Sequence, residues 1–99
     1  MFLVRDIRYC KPGQARPMVQ KFLALSKLGQ RMGLGAMRVM THVSAEPYWT
    51  VVSEMEVKSL EEYAEMTRKS MEKKDFQEAM KGDRDLIDHG RREIYMIET

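Results

Sequence analysis

The sequence predicts an α+β domain with the element order strand, helix, strand, strand, helix, strand. Two patterns carry this prediction: apolar and polar residues alternate in the strand-like runs, and apolar residues recur every three or four positions in the helix-like runs. The chain has 99 residues, a common size for one domain that leaves no room for a second core. We therefore expect a single domain over residues 1–99.

The first strand and the first helix flank a Lys-Pro-Gly turn. Residues 2–10 mix aliphatic, aromatic and charged side chains, which suits a half-buried strand, and Lys11-Pro12-Gly13 ends it. From Gln14 the apolar residues follow helical spacing, and the glycines at 33 and 35 are expected to end this helix.

Apolar and polar residues alternate along two further runs, residues 34–44 and 48–57. Ala45-Glu46-Pro47 separates them, which predicts a hairpin. Pairing Ser44 with Tyr48 places one largely apolar face under the helices, and Trp49 is expected in the core there. The same register sets Arg38 opposite Glu54, an opposite-charge pair that favours antiparallel neighbours. The second face of the hairpin would carry Arg38, Met40, His42, Tyr48, Thr50, Val52 and Glu54.

The second helix begins with a capping box, in which Ser59 and Glu62 would satisfy free backbone N–H groups. Its predicted apolar side consists of Leu60, Tyr63, Ala64, Thr67 and Met71. An irregularity is expected near residues 73–75, and helical periodicity then continues to Met80. A short helical turn ending at Gly90 would place His89 at a helix C-terminus, and residues 92–98 would form the last strand.

Two helices that each bury one stripe must share one face of the sheet, because right-handed crossovers place both on the same side. The expected architecture is a ferredoxin-like βαββαβ sandwich with the antiparallel sheet order 4-1-3-2. The other sheet face is left bare and is too apolar to remain in water. We expect an identical subunit to cover it.

Composition excludes several classes of function. The 17 basic and 15 acidic residues are interspersed, so neither a nucleic acid nor an anionic membrane is an expected partner. No apolar run has the roughly 18 residues that a membrane helix needs. Cys10 is the single cysteine, which fits a cytoplasmic protein and excludes a cysteine-rich metal site. We expect no metal and no cofactor, and we interpret the ten methionines as adaptable core filler.

Three segments carry a family resemblance. The first strand with its Lys-Pro-Gly turn and helix, the stretch 49–63 (WTVVSEMEVKSLEEY) and the ending 90–95 (GRREIY) together resemble the dimeric α/β-barrel superfamily. Within it, the chain is similar to small NIPSNAP-like and antibiotic-biosynthesis-monooxygenase-like proteins. The resemblance implies a homodimer whose two sheets pack face to face as a barrel. It also implies a ligand between the bare sheet face and the helices or inside the barrel.

The haem-degrading branch of that superfamily has a tryptophan and a histidine where this chain has Met55 and Met66. Neither methionine replaces a ring-distorting tryptophan or a proximal imidazole. The resemblance therefore disfavours haem degradation.

Three residues are candidates for catalysis. His42 could act as a general base, since an imidazole exchanges protons near neutral pH, although a structural role at a dimer surface is the commoner one. Asp6 and Arg8 share one face of the central first strand. They would form a buried polar pair if that face lines the barrel, or they would pair with Arg92 or Glu93 of the last strand.

Candidate ligand contacts come from the strands and their ends, where hydroxyl or charged groups could orient a small molecule in an apolar cavity. They are Tyr9, Arg38, Tyr48 and Glu54. Two hypotheses follow. One is a cofactor-independent monooxygenase-like or isomerase-like enzyme acting on a small apolar or aromatic molecule. The alternative is a non-catalytic homodimeric ligand-binding or interaction protein of the same fold.

Overall fold

The four strands form one antiparallel sheet in the order β2-β3-β1-β4 in a computed structural model, which describes residues 1–33, 35–44 and 47–99. This is the predicted order 4-1-3-2 read from the other edge, so the ferredoxin-like βαββαβ arrangement is confirmed. The elements are β1 (Phe2–Cys10), α1 (Ala15–Arg31), β2 (Met37–Thr41), β3 (Thr50–Val57), α2 (Leu60–Met71), α3 (Lys74–Met80) and β4 (Ile87–Met96), with a 3₁₀ turn at Asp83–Asp85.

The hairpin has the predicted register. Met37 pairs with Met55, Arg38 with Glu54 and Thr41 with Val51. Because side chains alternate along a strand, this register assigns each hairpin residue to one face of the sheet. The two methionines lie on the face that carries the helices, and the Arg38 and Glu54 pair lies on the other.

The core lies between α1 and the sheet. Met18 of α1 and Val51 of β3 are fully buried, and Cys10, Val19 and Phe22 complete the cluster. The molecule measures 36 × 34 × 18 Å, so it is a slab of one helical layer on one sheet. No helix of the described residues covers the second face of the sheet, which we call the open face.

The prediction that Trp49 lies in the core was wrong. The strand pairing ends at Thr41 and Val51, and Trp49 has a left-handed backbone with φ of 63°, which turns the chain before β3 begins. The indole is therefore 41% exposed, and Val43, its expected partner, is fully exposed. Leu34, Ala45 and Glu46 of the predicted hairpin lie outside the described residues.

The last strand begins earlier than expected, so two predictions near it were wrong. β4 already includes His89, which pairs with Tyr9 instead of ending a helix. Gly90 is also a strand residue and lies opposite Arg8. A Cβ atom at position 90 would lie 3.0 Å from the backbone oxygen of Ile7 and 3.1 Å from Nη1 of Arg8, so this glycine permits a close approach.

The second helical stretch agrees with its predicted boundaries. The Ser59 hydroxyl accepts a hydrogen bond from the backbone N–H of Glu62 at 3.0 Å, and the Glu62 carboxylate accepts one from the N–H of Lys58 at 3.2 Å. The expected irregularity separates α2 from α3 at residues 72–73. Within the described part of the chain, no helix combines the length and the apolar composition needed to cross a bilayer.

Candidate ligand-binding site

A cavity of about 180 Å³ lies between the helices and the sheet, and we call it the helix-side pocket. Apolar side chains from all three helices and from β2 and β3 form most of its wall. It is lined by Leu25, Ser26, Gly29, Gly35, Met37, Met55, Tyr63, Met66, Thr67, Ser70 and Phe76. A concave, mainly apolar site with a few hydroxyl groups is the usual form of a small-molecule site.

The pocket exists because of the residues that α2 turns toward the sheet. Tyr63, Met66, Thr67 and Ser70 line it, at the spacing of one helical stripe. Thr67 and Ser70 are too short to fill the space. The expected apolar side was only partly right, because Leu60 is 44% and Met71 69% exposed. No residue of α2 is buried, so this helix lies over the pocket without closing it.

The pocket was not predicted from the sequence, because methionines usually fill a core. Met37 and Met55 pair across the hairpin, and Met66 of α2 lines the same cavity. The predicted register already placed the first two side by side. Thioether side chains are flexible and polarisable, so this wall can adapt to ligands of different shape.

A second feature, which we call the polar cluster, consists of Asp6, Arg8 and Arg92 on the helix side of β1 and β4. Nε of Arg92 donates a hydrogen bond to Oδ1 of Asp6 at 2.7 Å, and Nη1 of Arg8 lies 4.0 Å from the same oxygen. The structure thus has the expected alternative in which Asp6 pairs with Arg92, on a face that packs toward α2 and not on the open face.

Tyr63 connects the polar cluster with the helix-side pocket. Its ring lines the pocket, and the guanidinium carbon of Arg92 lies 5.5 Å from the ring centroid. Burial raises the pKa of the Tyr63 phenol, and the positive charges of Arg92 and Arg8 oppose that effect. The phenol therefore stays protonated at neutral pH.

The other candidate residues lie on the open face. A shallow hollow of about 530 Å³ there is lined by Tyr9, His42 and Glu54, among others. Nδ1 of His42 is buried without a hydrogen-bond partner among the described residues, and its ring lies 5.8 Å from that of Tyr48. Because His42 is on the opposite face from Asp6 and Arg8, the three predicted catalytic residues do not converge on one ligand within a protomer.

Four charged residues cross the open face at one level, one from each strand, and we call them the ion row: Arg38, Glu54, Arg5 and Glu93. Glu54 accepts hydrogen bonds from Nε of Arg5 and from Nη2 of Arg38, both at 2.6 Å. Nη1 of Arg5 also donates to Glu93 at 3.2 Å. The pair of Arg38 and Glu54 was predicted from the sequence, but Arg5 and Glu93 were not placed beside it, because no register was predicted for β1.

Glu54 is the most buried member of the ion row, with a side chain only 8% exposed. Burial alone would raise the pKa of its carboxyl group, but the hydrogen bonds and charges of Arg5 and Arg38 outweigh burial and hold the pKa below its usual value of 4.5. The carboxylate is therefore ionised and held by two guanidinium groups. In a single protomer its role is structural.

Glu54→Gln should lower the free energy of unfolding by about 2 kcal/mol, because it removes a charge that two hydrogen-bonded arginines share. Urea titration at pH 7 would measure this loss. The stabilisation by Glu54 is present above the unfolded pKa near 4.5 and is lost as the pH falls through the lower folded value. The difference between the two proteins should therefore shrink below pH 4.5.

Glu65→Gln is the matched control, since Glu65 pairs with Arg68 on the exposed face of α2. Its loss should stay below about 0.5 kcal/mol. Equal effects of the two variants would contradict a structural role for the ion row.

Comparison with known proteins identifies the fold. No protein-family model matches the chain, and no curated protein matches it in sequence. Solved structures do match over nearly the whole chain. A NIPSNAP-like domain protein from Burkholderia xenovorans superposes with a TM-score of 0.78 at 22% identity, covering 99% of this chain and 85% of that one.

Two further structures agree. A NIPSNAP family protein from Agrobacterium tumefaciens gives a TM-score of 0.79 at 16% identity, over 96% of this chain and 90% of that one. A protein described as a candidate antibiotic biosynthesis monooxygenase from Nitrosomonas europaea gives 0.76 at 13% identity and covers both chains completely. The chain therefore has the fold of the NIPSNAP-like and antibiotic-biosynthesis-monooxygenase-like proteins that its sequence resembles.

Proposed function

We propose that this protein is a homodimer that binds a small apolar or aromatic molecule in the helix-side pocket of each protomer. The observation that carries the proposal is the pocket itself, a cavity of about 180 Å³ with an adaptable methionine wall. The hollow on the open face is wider, but the ion row crosses it and its arginines and glutamates already bind one another. It is a poorer site for an apolar molecule.

The open face supports the dimer. A helical layer covers only one side of an 18 Å thick slab, and the uncovered side exposes apolar surface at Met40, Tyr48 and Tyr95. Four strands spaced about 4.8 Å apart and roughly eight residues long present about 500 Å². Two such faces together reach about 1,000 Å², the lower bound for a specific interface. A second copy also offers a matching array of alternating charges.

Light scattering of the wild-type protein should give about twice the chain mass of 11.6 kDa. Val52→Glu, in the hollow of the open face, should shift the protein to monomer, because it places an unpaired charge in the interface. Leu23→Glu is the control, because Leu23 is an exposed residue of α1 on the opposite side of the sheet. This variant should remain dimeric. A monomeric wild-type protein at micromolar concentration would refute the dimer and leave the pocket untouched.

Ligand binding can be followed through the methionines. With ¹³C-labelled methionine methyl groups, titration with 1-hexanol should shift the NMR signals of Met37, Met55 and Met66. The exposed Met1, Met71 and Met96 should not move. About 180 Å³ holds roughly six heavy atoms at the ~30 Å³ that a water molecule occupies in the liquid, so a six-carbon chain fits.

Ser70→Leu should fill the pocket and weaken 1-hexanol binding at least about tenfold, because the added side chain occupies the ligand's space. Ser44→Leu, at an exposed position, adds the same side chain away from the pocket and should not. Shifts spread equally over all methionines, or binding that survives in Ser70→Leu, would disprove the pocket as the site.

The second candidate function is a cofactor-independent monooxygenase-like or isomerase-like reaction on the same class of molecule. It is supported by the fold shared with the Nitrosomonas europaea protein and by the protonated Tyr63 phenol in the pocket wall. We favour binding, because neither His42 nor a carboxylate lies among the residues that line the described pocket. Oxygen uptake by the protein, or conversion of a bound hydroquinone, would show that the protein is an enzyme.

A further inference from the structure

We propose that the ligand of the helix-side pocket is an amphipathic anion, with its apolar part in the pocket and a carboxylate held by Arg8 and Arg92 of the polar cluster. This inference rests on the proposed function and adds the chemical class of the ligand. The two arginines have no part in binding the apolar portion of the ligand.

Charge is the first feature of the polar cluster that favours an anion. The polar cluster has two guanidinium groups, of Arg8 and Arg92, for the single carboxylate of Asp6, which leaves one positive charge in excess. Charged groups that are taken partly out of water need partners of opposite sign. A ligand with one negative charge would neutralise the cluster.

Unused hydrogen-bonding capacity is the second feature that favours an anion. Arg92 uses Nε for Asp6. Its two terminal nitrogens donate to no other group in residues 1–33, 35–44 and 47–99. Arg8 is only 21% exposed, yet the closest carboxylate oxygen to it is 4.0 Å away. A guanidinium group binds a carboxylate best through paired N–H donors, and such charge-assisted bonds are among the strongest in proteins.

The position of the polar cluster relative to the pocket is the third feature. Tyr63 forms part of the pocket wall, and the guanidinium group of Arg92 lies against its ring. The guanidinium carbon of Arg8 lies 5.8 Å from the centroid of the Phe22 ring. Because Gly90 has no side chain, it leaves room for the side chain of Arg8. Arg92 thus lies against one wall residue of the pocket, and Arg8 lies next to Arg92, because both approach Oδ1 of Asp6. A molecule that extends past Tyr63 can therefore contact the methionine wall and the excess charge together.

Arginines elsewhere on the molecule offer poorer sites for a carboxylate. The ion row also contains arginines, but Arg5 and Arg38 share Glu54 at 2.6 Å each. Arg68 on α2 is bonded to Glu65 and Glu72 and is exposed. In the polar cluster, by contrast, both arginines have donors that bind no other group of the described residues. Arg8 is partly buried, and Arg92, with a side chain 47% exposed, lies against a residue of the cavity wall.

The test compares hexanoate with 1-hexanol, which share the apolar chain and differ in the head group. Titration of the wild-type protein at pH 7, followed by the methionine methyl signals, should give a Kd for hexanoate about tenfold below that for 1-hexanol. Arg8→Gln and Arg92→Gln should each bring the two Kd values close together while 1-hexanol still binds. Retained 1-hexanol binding also shows that a variant is folded.

Arg68→Gln is the matched control, because it removes an arginine from the outer side of α2, and it should keep the full preference for hexanoate. Equal affinity for both ligands in the wild-type protein, or a preference that survives in both cluster variants, would overturn the inference. Such a result leaves the proposed function standing. Failure of 1-hexanol to bind the wild-type protein would instead refute the proposed function.

Discussion

The buried carboxylate of Glu54 is the constraint on which the arrangement of the sheet depends. It lies in β3, between β1 and β2, and binds an arginine on each side. A slip of one residue would turn Glu54 toward the helices and leave both arginines without a partner, which is costly in a partly buried setting. The register of β3 places Met55 on the face that carries the helices. The register of β4, in which Arg5 is paired with Glu93, places Asp6 beside Arg92. The ion row on one face thus fixes which side chains lie on the other.

Strand register was the most predictable property of this chain. Alternation and one opposite-charge pair were sufficient to match every residue of β2 with its partner on β3, since a wrong register mixes two faces of different polarity. The same reasoning failed at Trp49 and His89. Both residues lie near the start of a regularly paired strand. The backbone conformation there depends on which neighbouring strand is present, and the alternation of apolar and polar residues does not show this.

The helix-side pocket was less predictable for a related reason. Tyr63 and Thr67 belong to two overlapping stripes of α2, one continuing through Ala64 and Met71 and the other through Met66 and Ser70. The first stripe is more apolar, yet the structure turns the second toward the sheet. Only the rotation of α2 against the other elements distinguishes them, and an empty space is a property of that packing. The polar cluster was predictable in part, because charge on a central strand requires a partner.

Trp49, the single tryptophan of the chain, has an optical consequence. Its backbone oxygen accepts a hydrogen bond from the N–H of Cys10, so the backbone of Trp49 is tied to the end of β1, while its side chain is partly exposed to solvent. Its fluorescence therefore reports on the detachment of the hairpin from β1 and not on the interior around Met18. We therefore expect emission spectra to follow the hairpin and calorimetry to follow the whole molecule, and disagreement between them would measure how independently the hairpin opens.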